Sequence, residues 1–88
     1  MHKSVGAEPT TTLSWLQDTV RAALQLSESE EVAARSLREL AATSLQTVGV
    51  QYRILQETSV QVEMTELIGD RSIADLALLI DGRRQSAA

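Results

Sequence analysis

The chain of 88 residues has no cysteine, one histidine and one proline. Without cysteine there is no disulfide framework, no thiolate metal site and no thiol nucleophile. The histidine is His2, inside a stretch, Met1 to Thr10, that also holds Gly6 and Pro9 and has no apolar period, so that stretch reads as a flexible tail and imidazole acid–base chemistry is not expected. Basic residues are few, 8 against 12 acidic ones for a net charge of −4, which leaves no general field to attract phosphate backbones; nucleic acid is not an expected partner. Long apolar runs are missing too. The longest, Leu76 to Ile80, falls far short of the ~20 residues a membrane span needs, and the polar N-terminus has no signal-peptide core. A cytoplasmic protein with no membrane partner is expected. What remains, 43% hydrophobic and 23% charged residues, suits one globular domain, a monomer burying ~60–65% of the surface its unfolded chain exposes.

Leu13, Leu16, Val20, Ala23 and Leu24 recur at three- and four-residue spacing, which predicts an amphipathic helix to about Leu26, capped by Thr11 or Thr12. From Ser27 to Thr43 the apolar residues are sparse, and the stretch reads as a long ordered loop of the kind that often serves function. Thr43-Ser44-Leu45-Gln46 has the form of a capping box, so a second helix starts there and runs to about Glu57. It carries two apolar stripes: Thr47, Val50 and Ile54 on one side, Leu45, Val48, Tyr52 and Leu55 on the other. One helix in so small a bundle cannot hide both, so one stripe faces the core and part of the other faces a partner. Val60 and Val62 read as an extended connector, Met64 to Ile68 as a short helical turn ending at Gly69, and Ser72 as the cap of a last helix that buries Ile73, Leu76, Ala77 and Ile80. Gly82 marks its stop. The expected fold is an all-α four-helix bundle, three main helices and one short one, with a long first loop; the domain spans residues 11–82, between tails at 1–10 and 83–88.

Candidate chemistry is sparse. The carboxylates of Glu28, Glu30 and Glu31 form the densest acidic cluster, which reads as a solvated charge run, and no metal is assigned. Trp15 reads as edge-of-core packing. Tyr52 and Arg53 either meet a partner or, for Tyr52, close the core with the hydroxyl in water. Ser44 has two readings. From spacing alone, a Ser beside a Thr at a helix start is capping chemistry; alternatively, an exposed hydroxyl there can carry a phosphodiester, favoured by free backbone amides and the positive end of the helix dipole.

Leu40-Ala41-Ala42-Thr43-Ser44-Leu45 resembles the Leu-Gly-x-Asp/His-Ser-Leu run around the modified serine of acyl and peptidyl carrier domains, the carriers of polyketide and nonribosomal peptide assembly lines. Arg35-Ser36-Leu37-Arg38-Glu39-Leu40 is similar to the segment before that serine, Gln51-Tyr52-Arg53-Ile54-Leu55 with Thr58-Ser59-Val60 to the second helix and its turn, and Arg71-Ser72-Ile73-Ala74-Asp75-Leu76-Ala77 to the opening of the last helix. Together these cover about residues 12 to 82. The resemblance implies a phosphopantetheine-binding, non-catalytic carrier in which Ser44, flanked by Thr43 and Leu45, receives 4′-phosphopantetheine from coenzyme A through a separate Mg²⁺-dependent phosphopantetheinyl transferase. The thiol of that group would hold acyl or aminoacyl intermediates as thioesters for partner enzymes such as ketosynthase, condensation, adenylation, acyltransferase or thioesterase domains, in antibiotic-type biosynthesis.

The chain departs from the pattern at two positions. Ala41 replaces the usual glycine, which suits only a backbone that does not need positive φ. Thr43 replaces the Asp or His before the serine and removes an ionisable side chain from the transferase's recognition surface. The second helix holds only Arg53 and Glu57, whereas Val62 to Gly82 holds five acids and one arginine. Docking is therefore expected through apolar Leu45, Val48 and Tyr52, with Met64 and Leu67 from the short helix and Arg53 at the rim, in weak transient complexes. The competing reading is an unmodified helical docking domain that uses the same exposed stripe.

Overall fold

The computed structural model describes residues 11–86, so the expected tail at 1–10, with His2, lies outside the described residues. Helix α1, Thr12–Leu24, begins where Thr11 Oγ1 accepts the Ser14 amide at 3.0 Å. It ends at Leu24, short of the expected Leu26, because Gln25 turns left-handed at φ 58° and the Gln25 and Leu26 amides return to the Ala22 and Arg21 carbonyls. Helix α2 spans Ser44–Thr58, α3 is the single turn Met64–Leu67, and α4 runs Ile73–Ser86. No strand forms among the described residues; an isolated antiparallel bridge joins Ser36 to Ser72.

The core combines α1 (Leu16, Val20, Leu24), α2 (Val50, Ile54), α3 (Leu67) and α4 (Ile73, Leu76, Ala77, Ile80). Irregular chain contributes as much as a helix does: Val32 and Leu37 of the first loop and Val60 and Val62 of the connector are all buried. Trp15 packs at the edge of this core, as expected. The first loop is also tied down by its backbone. At the start of α4 the Ile73 and Ala74 amides, two of the donors a helix leaves unmatched, bond to the Arg35 and Ala33 carbonyls at 2.8 and 2.9 Å, and Ser72 Oγ accepts the Asp75 amide. Residues 33–36 are thereby moored to α4, which fixes the approach to α2.

Gly82 is not the stop that the sequence suggests, and residues 83–86 are not a tail. Gly82 has no positive φ, and the helix passes through it. A glycine inside a helix costs about 1 kcal/mol relative to alanine. The extra turn is offset by what it delivers, since Arg83 donates to both carboxylate oxygens of Glu66 and to the Gln61 carbonyl.

Candidate functional site

Two consecutive caps set the position of Ser44. In the first, Ser36 Oγ accepts the Glu39 amide at 3.0 Å while Glu39 Oε1 accepts the Ser36 amide at 3.1 Å, a reciprocal box that starts a helical turn. The turn closes with the Leu40 amide on the Ser36 carbonyl, the Ala41 amide on Arg38 and the Ala42 amide on Leu37. That last pair of bonds is the signature of a left-handed helix terminus, where glycine is usual. Here the left-handed residue is Ala41, at φ 60°. The expectation that alanine at 41 goes with negative φ is therefore wrong: the backbone does adopt the glycine conformation, held by buried Leu37 and by Ala42 packed against the core. The Ser36–Glu39 box itself is legible in the sequence as S-x-x-E and was missed because the apolar residues around it are too sparse to suggest a helix.

Two residues later the second cap begins. Thr43 is extended (φ −75°, ψ 166°), its Oγ1 accepts the Gln46 amide at 3.1 Å, and Gln46 Oε1 accepts the Thr43 amide at 2.9 Å. Of the four amides at this helix start the box satisfies those of Thr43 and Gln46, leaving those of Ser44 and Leu45 without a partner among the described residues. Capping is thus assigned to Thr43 and Gln46. Ser44, the first helical residue, is exposed and takes no part in the box. A hydroxyl in water, beside two open amides and at the positive end of a 15-residue helix dipole, is a fit place for a phosphodiester.

The stripes of α2 separate as expected. Thr47, Val50 and Ile54 are buried; Leu45 is 82% exposed, Val48 46%, Tyr52 58% and Leu55 43%. The Tyr52 hydroxyl accepts a bond from Gln56 Nε2 at 3.0 Å, and Arg53 is exposed. On α3 the expectation divides. Met64 is half-buried against the core, whereas Leu67, expected on the docking face, is completely buried and offers a partner nothing. Ile68 is the exposed residue instead, at 52%. A single turn is too short to show an apolar period, so adjacent Leu67 and Ile68 could not be told apart by spacing.

Charge near α3 is organised by one pair. The Arg83 hydrogen bonds and then the Glu63 amide hold the Glu66 carboxyl below the usual glutamate range against a smaller opposing effect of burial, and the same bond to Glu66 raises Arg83. Arg38 meets Asp70 at 3.1 Å, an exposed contact of small weight. An open cavity of about 150 Å³, lined by Trp15, Glu57, Thr58 and Arg84 among others, lies at the far end of α2, ~20 Å from Ser44 at 1.5 Å per residue. The acidic Glu28–Glu31 region forms no group that could hold a metal, nor does any other among the described residues. No described helix is long and apolar enough to cross a membrane.

A search of curated proteins and one of solved structures return no match. The family model described as the phosphopantetheine attachment site matches residues 14–80, a span that takes in both caps, Ser44, α3 and most of α4. With most of the chain covered and an exposed serine set among open amides, the chain belongs to the phosphopantetheine-attachment family, whose members are carrier domains bearing a 4′-phosphopantetheine prosthetic group.

Proposed function

We propose that Ser44 is the attachment residue and that the domain carries acyl or aminoacyl groups between the enzymes of a polyketide or nonribosomal peptide pathway in the cytoplasm. The observation that supports this most directly is the exposed Ser44 hydroxyl on the first turn of α2, relieved of capping by Thr43 and Gln46. In the transfer, Ser44 Oγ would bond to the phosphorus that bears the pantetheine arm as the bond from that phosphorus to the adenosine 3′,5′-bisphosphate half of coenzyme A breaks, and the hydroxyl proton would pass to the transferase or to water. The Ser44 and Leu45 amides and the positive end of the helix dipole would hold the resulting anion. When bound, the group supplies a terminal thiol for thioester chemistry. The domain itself performs no reaction; it offers a hydroxyl and a surface.

Docking follows from the same geometry. Leu45 and Val48 stand within one turn of Ser44 on its own helix, and Tyr52 one turn further, so a transferase or pathway enzyme that reaches Ser44 covers them. Arg53 and Glu57 are the only ions of α2, which suits partners with an apolar contact surface and few charges. Thr43 keeps the capping role of the more usual aspartate without its charge.

Intact mass after incubation with coenzyme A, Mg²⁺ and a broad-specificity phosphopantetheinyl transferase tests the assignment. One added phosphopantetheine is expected on the wild type and none on Ser44→Ala. Addition that survives in Ser44→Ala would move the site elsewhere. No addition with several transferases would favour the unmodified docking domain, which the exposed stripe of α2 would also serve.

A further inference from the structure

Helix α3 cannot sustain itself. It is a single turn of four residues, well below the length at which a helix is stable in water, and its own bonds reduce to the Glu66, Leu67 and Ile68 amides on the Glu63 and Met64 carbonyls. Packing of Leu67 and Met64 against the core and two side chains from other helices hold it. Leu67 anchors it in the core. From α2, Gln51 Nε2 donates to the Val62 carbonyl at 2.8 Å. From the far side, Arg83 of α4 reaches over with both terminal nitrogens: Nη2 to Glu66 Oε2 at 2.7 Å, and Nη1 to Glu66 Oε1 at 3.0 Å and the Gln61 carbonyl at 3.1 Å. Glu66 Oε1 meanwhile accepts the Glu63 amide at 2.9 Å, so one carboxylate joins the start of α3 to the last turns of α4.

We propose that Arg83 is a positioning residue: by gripping Glu66 and the Gln61 carbonyl it fixes α3 beside α2, and so sets the affinity of the surface on which the partners of Ser44 dock. The proposal rests on the carrier reading above. A planar guanidinium on a carboxylate fixes angle as well as distance, an orientational hold that the buried Leu67 side chain, packed apolar against apolar, does not by itself supply. It also accounts for a helix that continues through Gly82, because a stop there would leave Arg83 outside the helix and unable to present its fork. The chain following Gly82 is thus part of the working domain.

The test compares wild type with Arg83→Ala, Arg83→Lys and Glu66→Gln in the whole chain. Two readouts are used. The first is amide hydrogen exchange, in which the Glu66, Leu67 and Ile68 amides are expected to exchange several-fold faster in Arg83→Ala and Glu66→Gln, with Val50 and Ile54 of α2 unchanged and Arg83→Lys intermediate. The second is the kinetics of Ser44 modification, in which KM for the carrier is expected to rise several-fold at constant kcat, again with partial rescue by lysine. Unchanged α3 exchange in Arg83→Ala overturns the proposal, as does loosened α3 with wild-type KM. Faster exchange everywhere would show a general stability role and also overturn it. If Ser44 is never modified, the carrier reading fails, and affinity for an isolated partner protein takes the place of KM while the exchange data still decide whether Arg83 holds α3.

Discussion

Replacing Ala41 with glycine should stabilise the protein, the reverse of the usual effect of that substitution. Ala41 sits at φ 60° with its amide on the Arg38 carbonyl and its methyl exposed. A left-handed backbone costs a residue with a Cβ about 1–2 kcal/mol relative to the right-handed one, and glycine is free of that penalty. Against this, glycine has more freedom in the unfolded chain, which returns about 0.4–1 kcal/mol. Because the methyl is exposed, its removal takes little apolar surface out of the core. The balance is a gain of about 0.5–1 kcal/mol, or roughly 2–8 °C in melting temperature for a domain of this size. Urea and thermal unfolding of Ala41→Gly against wild type measure it, with an unchanged urea slope as the condition for reading the midpoint shift as stability. A stability lowered by about 0.5–1 kcal/mol, as for glycine in ordinary backbone, would refute the left-handed assignment and with it the account of how the first turn delivers the chain to Thr43 and Ser44.

Three further outcomes follow from the packing and the charges. Gly82→Ala is expected to stabilise by about 0.5–1 kcal/mol, since a methyl there meets nothing within 4 Å; a loss of similar size in thermal melts would instead place Gly82 at a helix end. Leu67→Ala should lose about 2–5 kcal/mol of stability, whereas Leu45→Ala, at a site 82% exposed, should leave urea unfolding within about 0.5 kcal/mol of wild type and raise KM for modification; equal stability effects at the two sites would contradict the assignment of inward and outward faces. The Glu66 carboxyl is held down in the folded state, so its contribution is complete above the ordinary glutamate range and is lost as the pH falls through its lowered folded value. A carbon-13 titration of Glu66 should move upward in Arg83→Ala, and an unmoved midpoint would exclude Arg83 as the main cause.

The local chemistry of this domain was open to inspection in the sequence, and the reason is that each such signal acts over one turn. Thr43 and Gln46 specify a helix start by themselves, because hydroxyl, amide and backbone meet at fixed three-residue spacing; the two stripes of α2 follow from 3.6 residues per turn over four turns. The order of motifs around Ser44 was enough to identify the family. Tertiary structure decided what lies beyond that range. Which way Leu67 and Ile68 face depends on where α2 and α4 stand, since four residues carry no period. The helix runs on past Gly82, and the next residue, Arg83, pairs with a carboxylate, Glu66, 16 positions before that glycine, a partner no local pattern points to. Ala41 adopts a conformation its own side chain disfavours because Leu37 and Ala42, on either side, are held against the core. Short-range rules set the cap and the two stripes of α2; the energy that holds α3 beside α2 comes from contacts between residues distant in the chain, Leu67 in the core, Gln51 on Val62 and Arg83 on Glu66, which only the folded molecule brings together.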